Sequence, residues 1–278
     1  MNRQIFPDES RFLIEMVKVR YTEDECILAL ELYLMLPRKD IRRDNPQIIQ
    51  LSDFLTSKGH PHNANSIKMK LENFKAFDPL YLGKSLSNGS DMDRKIWERF
   101  YATGFTDLSK AAEESRMRIS HGDSSVFGME NLDEGGRTKL VEMMERSNQD
   151  IFRGRVLTVY DSKCCITGIQ SNDMIQACHI KPWSASPENS KERLDPRNGL
   201  CLNVLHHKAF DDGLFTLDEK YRVELSPALE QIERPEVIKR YYRPYEGQTI
   251  TIDMKEFLPS EEYLDYHRKN VFRERAES

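Results

Sequence analysis

The chain has 278 residues, a formal net charge of −5, and 38% hydrophobic against 31% charged residues, a balance that fits a globular protein of one large or two modest domains. No apolar run approaches the roughly 18 residues of a membrane-spanning helix, and the first ten residues lack the apolar stretch of a secretory signal. A cytoplasmic protein without membrane association is therefore expected. Five cysteines (Cys26, Cys164, Cys165, Cys178 and Cys201) with no Cys-x-x-Cys pair argue against a disulfide framework and against a four-cysteine zinc knuckle. The acidic total does not advertise a nucleic-acid binder, but a phosphate-binding face needs only a local basic patch.

Thr22-Glu-Asp-Glu25 has the form of a capping box. The apolar residues after it, Ile27 to Leu36, predict a helix that buries most of its surface and ends at Pro37. Asn45-Pro46 opens a second helix, with Ile48, Ile49, Leu51, Phe54 and Leu55 at helical spacing, and Gly59-His-Pro-His62 breaks it. Asn65-Ser66 can cap a third helix carrying Ile67, Leu71 and Phe74 on one face and Lys68, Lys70 and Lys75 on the other. A fourth runs from about Met92 to Thr103. Two helices across a short Gly/Pro turn read as a helix-turn-helix-like arrangement, whose second helix would bring Asn63, Asn65, Ser66, Lys68 and Lys70 to double-stranded DNA.

Residues 116–150 are polar and glycine-bearing, with one helical piece near Lys139 to Arg146, and read as an exposed linker. The resulting division is 1–115 helical, 116–150 linker, 151–278 catalytic. Between Phe152 and Tyr160 periodicity does not separate strand from helix. Met174 to Ile180 has strand composition and ends at His179. A polar loop follows Pro182-Trp183, Asn198-Gly199 makes a turn, Leu200 to Leu205 returns as a strand, and a helix runs from His206 to Gly213. Further on, a hairpin is expected around Leu217 to Tyr221, a short strand at Thr249 to Ile252, and a helix from Ser260 to Phe272. The fold class is α+β: an all-helical N-terminal domain followed by a ββα unit.

Hydrolysis of a phosphodiester with one metal ion needs a general base for water and a divalent cation for the phosphate and the leaving oxygen. His179, with a reference pKa of about 6.5, suits the base. His207 suits a ligand through a neutral ring nitrogen, and Asp211, one helical turn on, lies on the same face. A carboxylate there favours Mg²⁺ or Mn²⁺. Adjacent helical residues point about 100° apart, so only one of His206 and His207 faces the site; His206 is left to a phosphate contact or to solvent.

Four motifs stand in order: Cys164-Cys-Ile-Thr-Gly168, His179-Ile-Lys-Pro-Trp183, Asp195-Pro-Arg-Asn-Gly199 and His207-Lys-Ala-Phe-Asp-Asp-Gly-Leu214. In this the chain resembles the HNH (ββα-metal) endonucleases, closely over about 70 residues. The N-terminal segments Ala29-Leu-Glu-Leu-Tyr33, Leu51-Ser-Asp-Phe-Leu55 and Lys70 to Pro79 are similar to the helical region ahead of the HNH unit in restriction-type enzymes. The resemblance implies that His179, Asn198 and His207 are catalytic, with the metal on His207, Asp211 and Asn198; Asn198 either orients the base or ligates. Register in the family favours His207 over His206. Many relatives carry Asp or His directly before the base, where this chain has Cys178, which is expected to face the core rather than to ligate.

A metal-dependent DNA endonuclease of restriction type is thus implied, leaving 5′-phosphate and 3′-hydroxyl ends, acting on unmodified or modified DNA, with one Mg²⁺ or Mn²⁺ per site and Zn²⁺ or Ni²⁺ as alternatives. One site per chain leads to the expectation of a homodimer for a double-strand break. Two other readings stay open: a nonspecific defence nuclease, and a DNA-binding protein with an inactive HNH module.

Overall fold

The computed structural model describes residues 20–81, 89–121, 133–231 and 235–273. The first ten residues and most of the glycine-bearing piece at 120–125 lie outside them.

Helix α1 (Glu23–Met35) is the post around which the N-terminal region is built. Thr22 closes the capping box, its Oγ1 accepting from the Glu25 amide at 3.3 Å while Glu25 Oε2 accepts from the Thr22 amide at 2.6 Å. Its burial runs round the whole circumference, polar residues included. Glu25 is buried against His60 and His62, and Glu31 against Arg116 and Ser147. Buried carboxylates persist only when paired in this way. Burial raises the Glu31 carboxyl above its ordinary value, against the pull of Arg116.

Around α1 lie α2 (Pro46–Ser57), α3 (Ala64–Phe74), α4 (Asp91–Ala102) and α5 (Leu108–His121). Asn45 caps α2 with Pro46 in its first turn, as the sequence indicates. The cap of α3 is Asn63, whose Oδ1 accepts from the Ser66 amide at 2.9 Å. The helix therefore begins before Asn65 and Ser66, which lie in its first turn. Helix α5 was not expected; it enters the stretch read as linker.

Helix α6 (Glu134–Val159) is continuous, about 39 Å long at 1.5 Å per residue. It runs through residue 150, where the sequence reading placed a boundary. Its first half exposes most of its residues, which is why it reads as polar; its second half buries Ile151, Phe152, Val156, Leu157 and Val159. Gly154 permits contact with α1, since a Cβ there would lie 2.3 Å from the Leu34 carbonyl oxygen. One hydrophobic cluster runs from α1 through α6 into the strands that follow.

Those strands are β1 (Ile175–His179) and β2 (Gly199–Asn203), antiparallel, with His179 opposite Gly199 and Ile175 opposite Asn203. Helix α7 (Val204–Asp211) starts directly after β2, with Asn203 as its cap. The order strand, loop, strand, helix is the ββα unit. A hairpin of β3 (Phe215–Leu217) and β4 (Val223–Leu225) follows, then α8 (Pro235–Tyr241) and α9 (Glu261–Asn270). The strand expected at 249–252 is reduced to one bridge between Thr249 and Arg222.

Candidate active site

A cleft of about 610 Å³ opens between α6 and the ββα unit, lined among others by Phe152, Arg153, Gln176, His179, His207 and Asp211. The strand places alternate side chains on one face and the helix places every fourth. Gln176 and Cys178 are therefore about 6.8 Å apart along β1, and His207 and Asp211 about 6.0 Å apart along α7. The two pairs match. Gln176 Oε1 contacts His207 Nδ1, and the Cys178 thiol donates to Asp211 Oδ1 at 3.3 Å.

An amide oxygen only accepts, so in this orientation His207 Nδ1 is a donor. Its Nε2 lies 3.3 Å from Asp211 Oδ2, a nitrogen and a carboxylate oxygen placed to share either a proton or a cation. Cys178, His207 and Asp211 bring three ligand atoms within 4.8 Å of one another, and among the described residues no other such group of His, Cys, Asp and Glu occurs. The donor set fits a divalent ion. Cys178 is buried as expected, yet its thiol is turned toward this cluster; burial first, then the neighbouring Asp211 carboxylate, raise it well above its ordinary pKa.

His179 sits at the end of β1 on the same cleft. Its ring lies flat on Phe152, with centroids 3.5 Å and planes 12° apart, and Trp183 meets it edge-on at 5.6 Å. Its Nε2 is 3.0 Å from the Arg193 carbonyl oxygen. A carbonyl cannot donate, so Nε2 carries the proton and Nδ1 keeps the lone pair. Burial pushes the imidazole down to about 4, against the pull of the Arg193 carbonyl, so the ring is held neutral with a lone pair on Nδ1.

Asn198 is fully buried, and its amide is committed to backbone. Its Oδ1 accepts from the Lys181 amide at 2.8 Å, and its Nδ2 donates to the carbonyls of Lys181 and Glu192. It stands outside the Cys178–His207–Asp211 cluster. What it holds is the loop whose next carbonyl, that of Arg193, fixes His179. Of the two roles implied for Asn198, the geometry favours orienting the base. His206 is neither solvated nor turned to a phosphate. It is buried among Phe215, Tyr242 and Tyr245, because the helical turn that faces His207 to the cleft faces its neighbour to the core.

The five residues expected at DNA are distributed differently. Asn63 and Asn65 are exposed at the start of α3. The Ser66 hydroxyl is shared with Tyr21, and Lys68 lies 3.6 Å from Glu72. Lys70 is buried, 2.7 Å from the buried Asp93 and stacked over the Tyr21 ring. It is withdrawn from solvent, because the face of α3 that carries it packs on α4.

Three participants escaped sequence reasoning. Gln176 was legible, since it lies two residues before Cys178 on a strand and so shares its face. Phe152 has no local signal, being 27 residues (179 − 152) from the ring it covers. The Arg193 group is a backbone carbonyl and leaves no trace in side-chain types.

A strand-end histidine opposite a helical histidine and aspartate, on a hairpin that feeds the helix, is the arrangement expected of a ββα nuclease site. Residues 164–218 match the family HNH_2, described as HNH endonuclease, and the chain carries an HNH domain over that segment. None of the curated proteins matches the chain. The match implies a nucleic-acid substrate. No helix among the described residues is long and apolar enough to cross a membrane.

Proposed function

We propose that the protein is a metal-dependent DNA endonuclease of restriction type, cutting through the HNH domain under the direction of its helical N-terminal region. The observation that carries the reading is the placement of His179, its Nε2 3.0 Å from the Arg193 carbonyl oxygen, on one cleft with His207 and Asp211. His179 takes the proton of the attacking water at Nδ1. The Arg193 carbonyl keeps its bond to Nε2–H throughout and so favours the imidazolium that forms. His207 and Asp211 would hold a divalent ion, with Cys178 placed to join them; bound there, it would supply positive charge to the phosphate and the leaving 3′ oxygen, consistent with 5′-phosphate and 3′-hydroxyl ends. Mg²⁺ or Mn²⁺ suits the carboxylate and imidazole; a coordinating thiolate would move the preference toward Zn²⁺. Asn63, Asn65 and Lys68 at the start of α3 remain the residues offered to the DNA, and paired cuts call for a homodimer.

The test is cleavage of unmodified plasmid and of modified phage DNA, with and without Mg²⁺ or Mn²⁺, beside His179→Ala. Discrete fragments that need metal and vanish in the variant support the reading. Equal cutting by the variant, or no cutting with any metal, refutes it. The burial of Lys70 and the pairing of Lys68 favour a second reading, in which the helical region senses something other than DNA sequence and the nuclease is nonspecific. Asn63→Ala with Asn65→Ala, both exposed at the start of α3, separates the two, since only the first loses selectivity.

A further inference from the structure

We propose that Phe152, on α6 and outside the family-matched segment, is a positioning residue of the nuclease site: its ring sets the plane of the His179 imidazole and ties that plane to the N-terminal helices. The proposal rests on the reading of His179 as the base.

The bond from Nε2 to Arg193 fixes one atom of the imidazole but leaves rotation about the bond axis. A flat aromatic contact removes that freedom. Phe152 supplies it, stacked at 3.5 Å with a 12° tilt, and is itself 2% exposed. The ring cannot drift, because α6 is wedged between two backbones. On the strand side a Cβ at Gly199 would lie 2.4 Å from Val156 Cγ2 and 3.0 Å from Phe152 Cζ. Gly199 is the register partner of His179, so the helix rests on the hairpin at the level of the base. On the other side a Cβ at Gly154 would lie 2.4 Å from the Met35 carbonyl oxygen as well as 2.3 Å from that of Leu34. Helix α6 thus touches α1 two residues after the position that covers His179. The orientation of the base depends on how the N-terminal helices seat this one helix.

The experiment is a double-mutant cycle in the full-length chain. Phe152→Leu and Phe152→Met keep apolar volume and remove the flat face. Single-turnover rates and KM are measured with each variant alone and with His179→Ala, beside Mn²⁺ affinity by electron paramagnetic resonance and the melting temperature. The expected result is a loss of about 10²-fold in kcat with KM and Mn²⁺ affinity unchanged, and no further loss in the His179→Ala background. Wild-type kcat in both Phe152 variants would overturn the proposal. So would an equal loss with and without His179, which would mark Phe152 as packing alone. If His179→Ala cleaves as the wild type does, the base assignment itself fails and takes this inference with it.

Discussion

Asn198 and Lys181 exchange two hydrogen bonds, the Lys181 amide donating to Asn198 Oδ1 at 2.8 Å and Asn198 Nδ2 donating to the Lys181 carbonyl at 3.2 Å. With the third bond to the Glu192 carbonyl at 3.0 Å, one buried side chain fastens both ends of the loop that carries Trp183 and Arg193. Asn198→Ala leaves the Lys181 amide and the carbonyls of Lys181 and Glu192 without this partner, at about 1–3 kcal/mol for each group that water does not reach. The expected outcome is a chain destabilised by about 2–4 kcal/mol in urea unfolding. Its cleavage rate falls because the Arg193 carbonyl no longer holds Nε2 of His179, while its Mn²⁺ affinity stays at the wild-type value. A folded variant that binds Mn²⁺ more weakly would make Asn198 a ligand instead.

Lys70 and Asp93 form a buried ion pair at 2.7 Å, with Asn73 and the Ser90 cap on the same carboxylate. Burial alone would raise the Asp93 carboxyl, but Lys70 and Ser90 hold it below its ordinary value. Removing one partner of such a pair costs about 3–5 kcal/mol. Lys70→Ala is therefore expected to lower stability without changing the salt dependence of DNA binding. Lys68→Ala, at the more accessible position, is expected to reduce the slope of log affinity against log salt by about one. Titrations of the two variants against duplex DNA at several salt concentrations check this; a reduced slope in Lys70→Ala would return that residue to the interface.

The sequence made the catalytic hairpin and helix legible because each carries its own local signal. His179 ends an apolar strand before Pro182, and the fourth-residue spacing of His207 and Asp211 sets them on one helical face; the helix starts at Val204, within the expected strand 200–205, because Asn203 caps it. The first three helices were equally legible from Thr22, Asn45 and the residues around Asn63. Helix α6 was not, since an exposed first half dilutes its periodicity and its close-approach glycine, Gly154, acts against a partner far along the chain. The fate of Lys70 was hidden for the same reason. A lysine on a basic-looking face reads as solvated until the helix that covers it, α4 with Asp93, is placed in space.

Cys178 decides between two kinds of metal site. With His207 and Asp211 alone the ligands are nitrogen and oxygen, and a Co²⁺-loaded protein should show only weak visible bands. With the thiolate included, Co²⁺ should add a sulfur-to-metal charge-transfer band in the near ultraviolet. The position of the thiol, 3.3 Å from Asp211, leads to the expectation that the band is present in the wild type and absent in Cys178→Ser. That variant should also bind Zn²⁺ at least about tenfold more weakly while its Mg²⁺ affinity stays unchanged. Identical spectra for wild type and variant would leave Cys178 as a buried donor to Asp211. Asp211→Asn, in contrast, should weaken every metal.

The pH dependence of stability has a contribution from buried histidines. Burial lowers His206 and pushes His179 and His267 down to about 4. His267 is enclosed behind α7, its Nε2 donating to the Phe210 carbonyl at 3.1 Å and its Nδ1 meeting the Thr216 hydroxyl at 2.9 Å. In the unfolded chain each titrates near 6.5. Between these values the unfolded state binds more protons than the folded one, so stability falls as pH falls. The stabilising contribution is complete above about pH 6.5 and is lost by about pH 4, His179 and His267 each accounting for roughly 3 kcal/mol. Urea midpoints taken from pH 7.5 down to 4.5 should decline in the wild type. His267→Gln, whose amide can donate to Phe210 and accept from Thr216, should decline less steeply. A variant curve parallel to the wild type would show that His267 does not titrate in this window, and the loss would then belong to His179, His206 and the carboxylates.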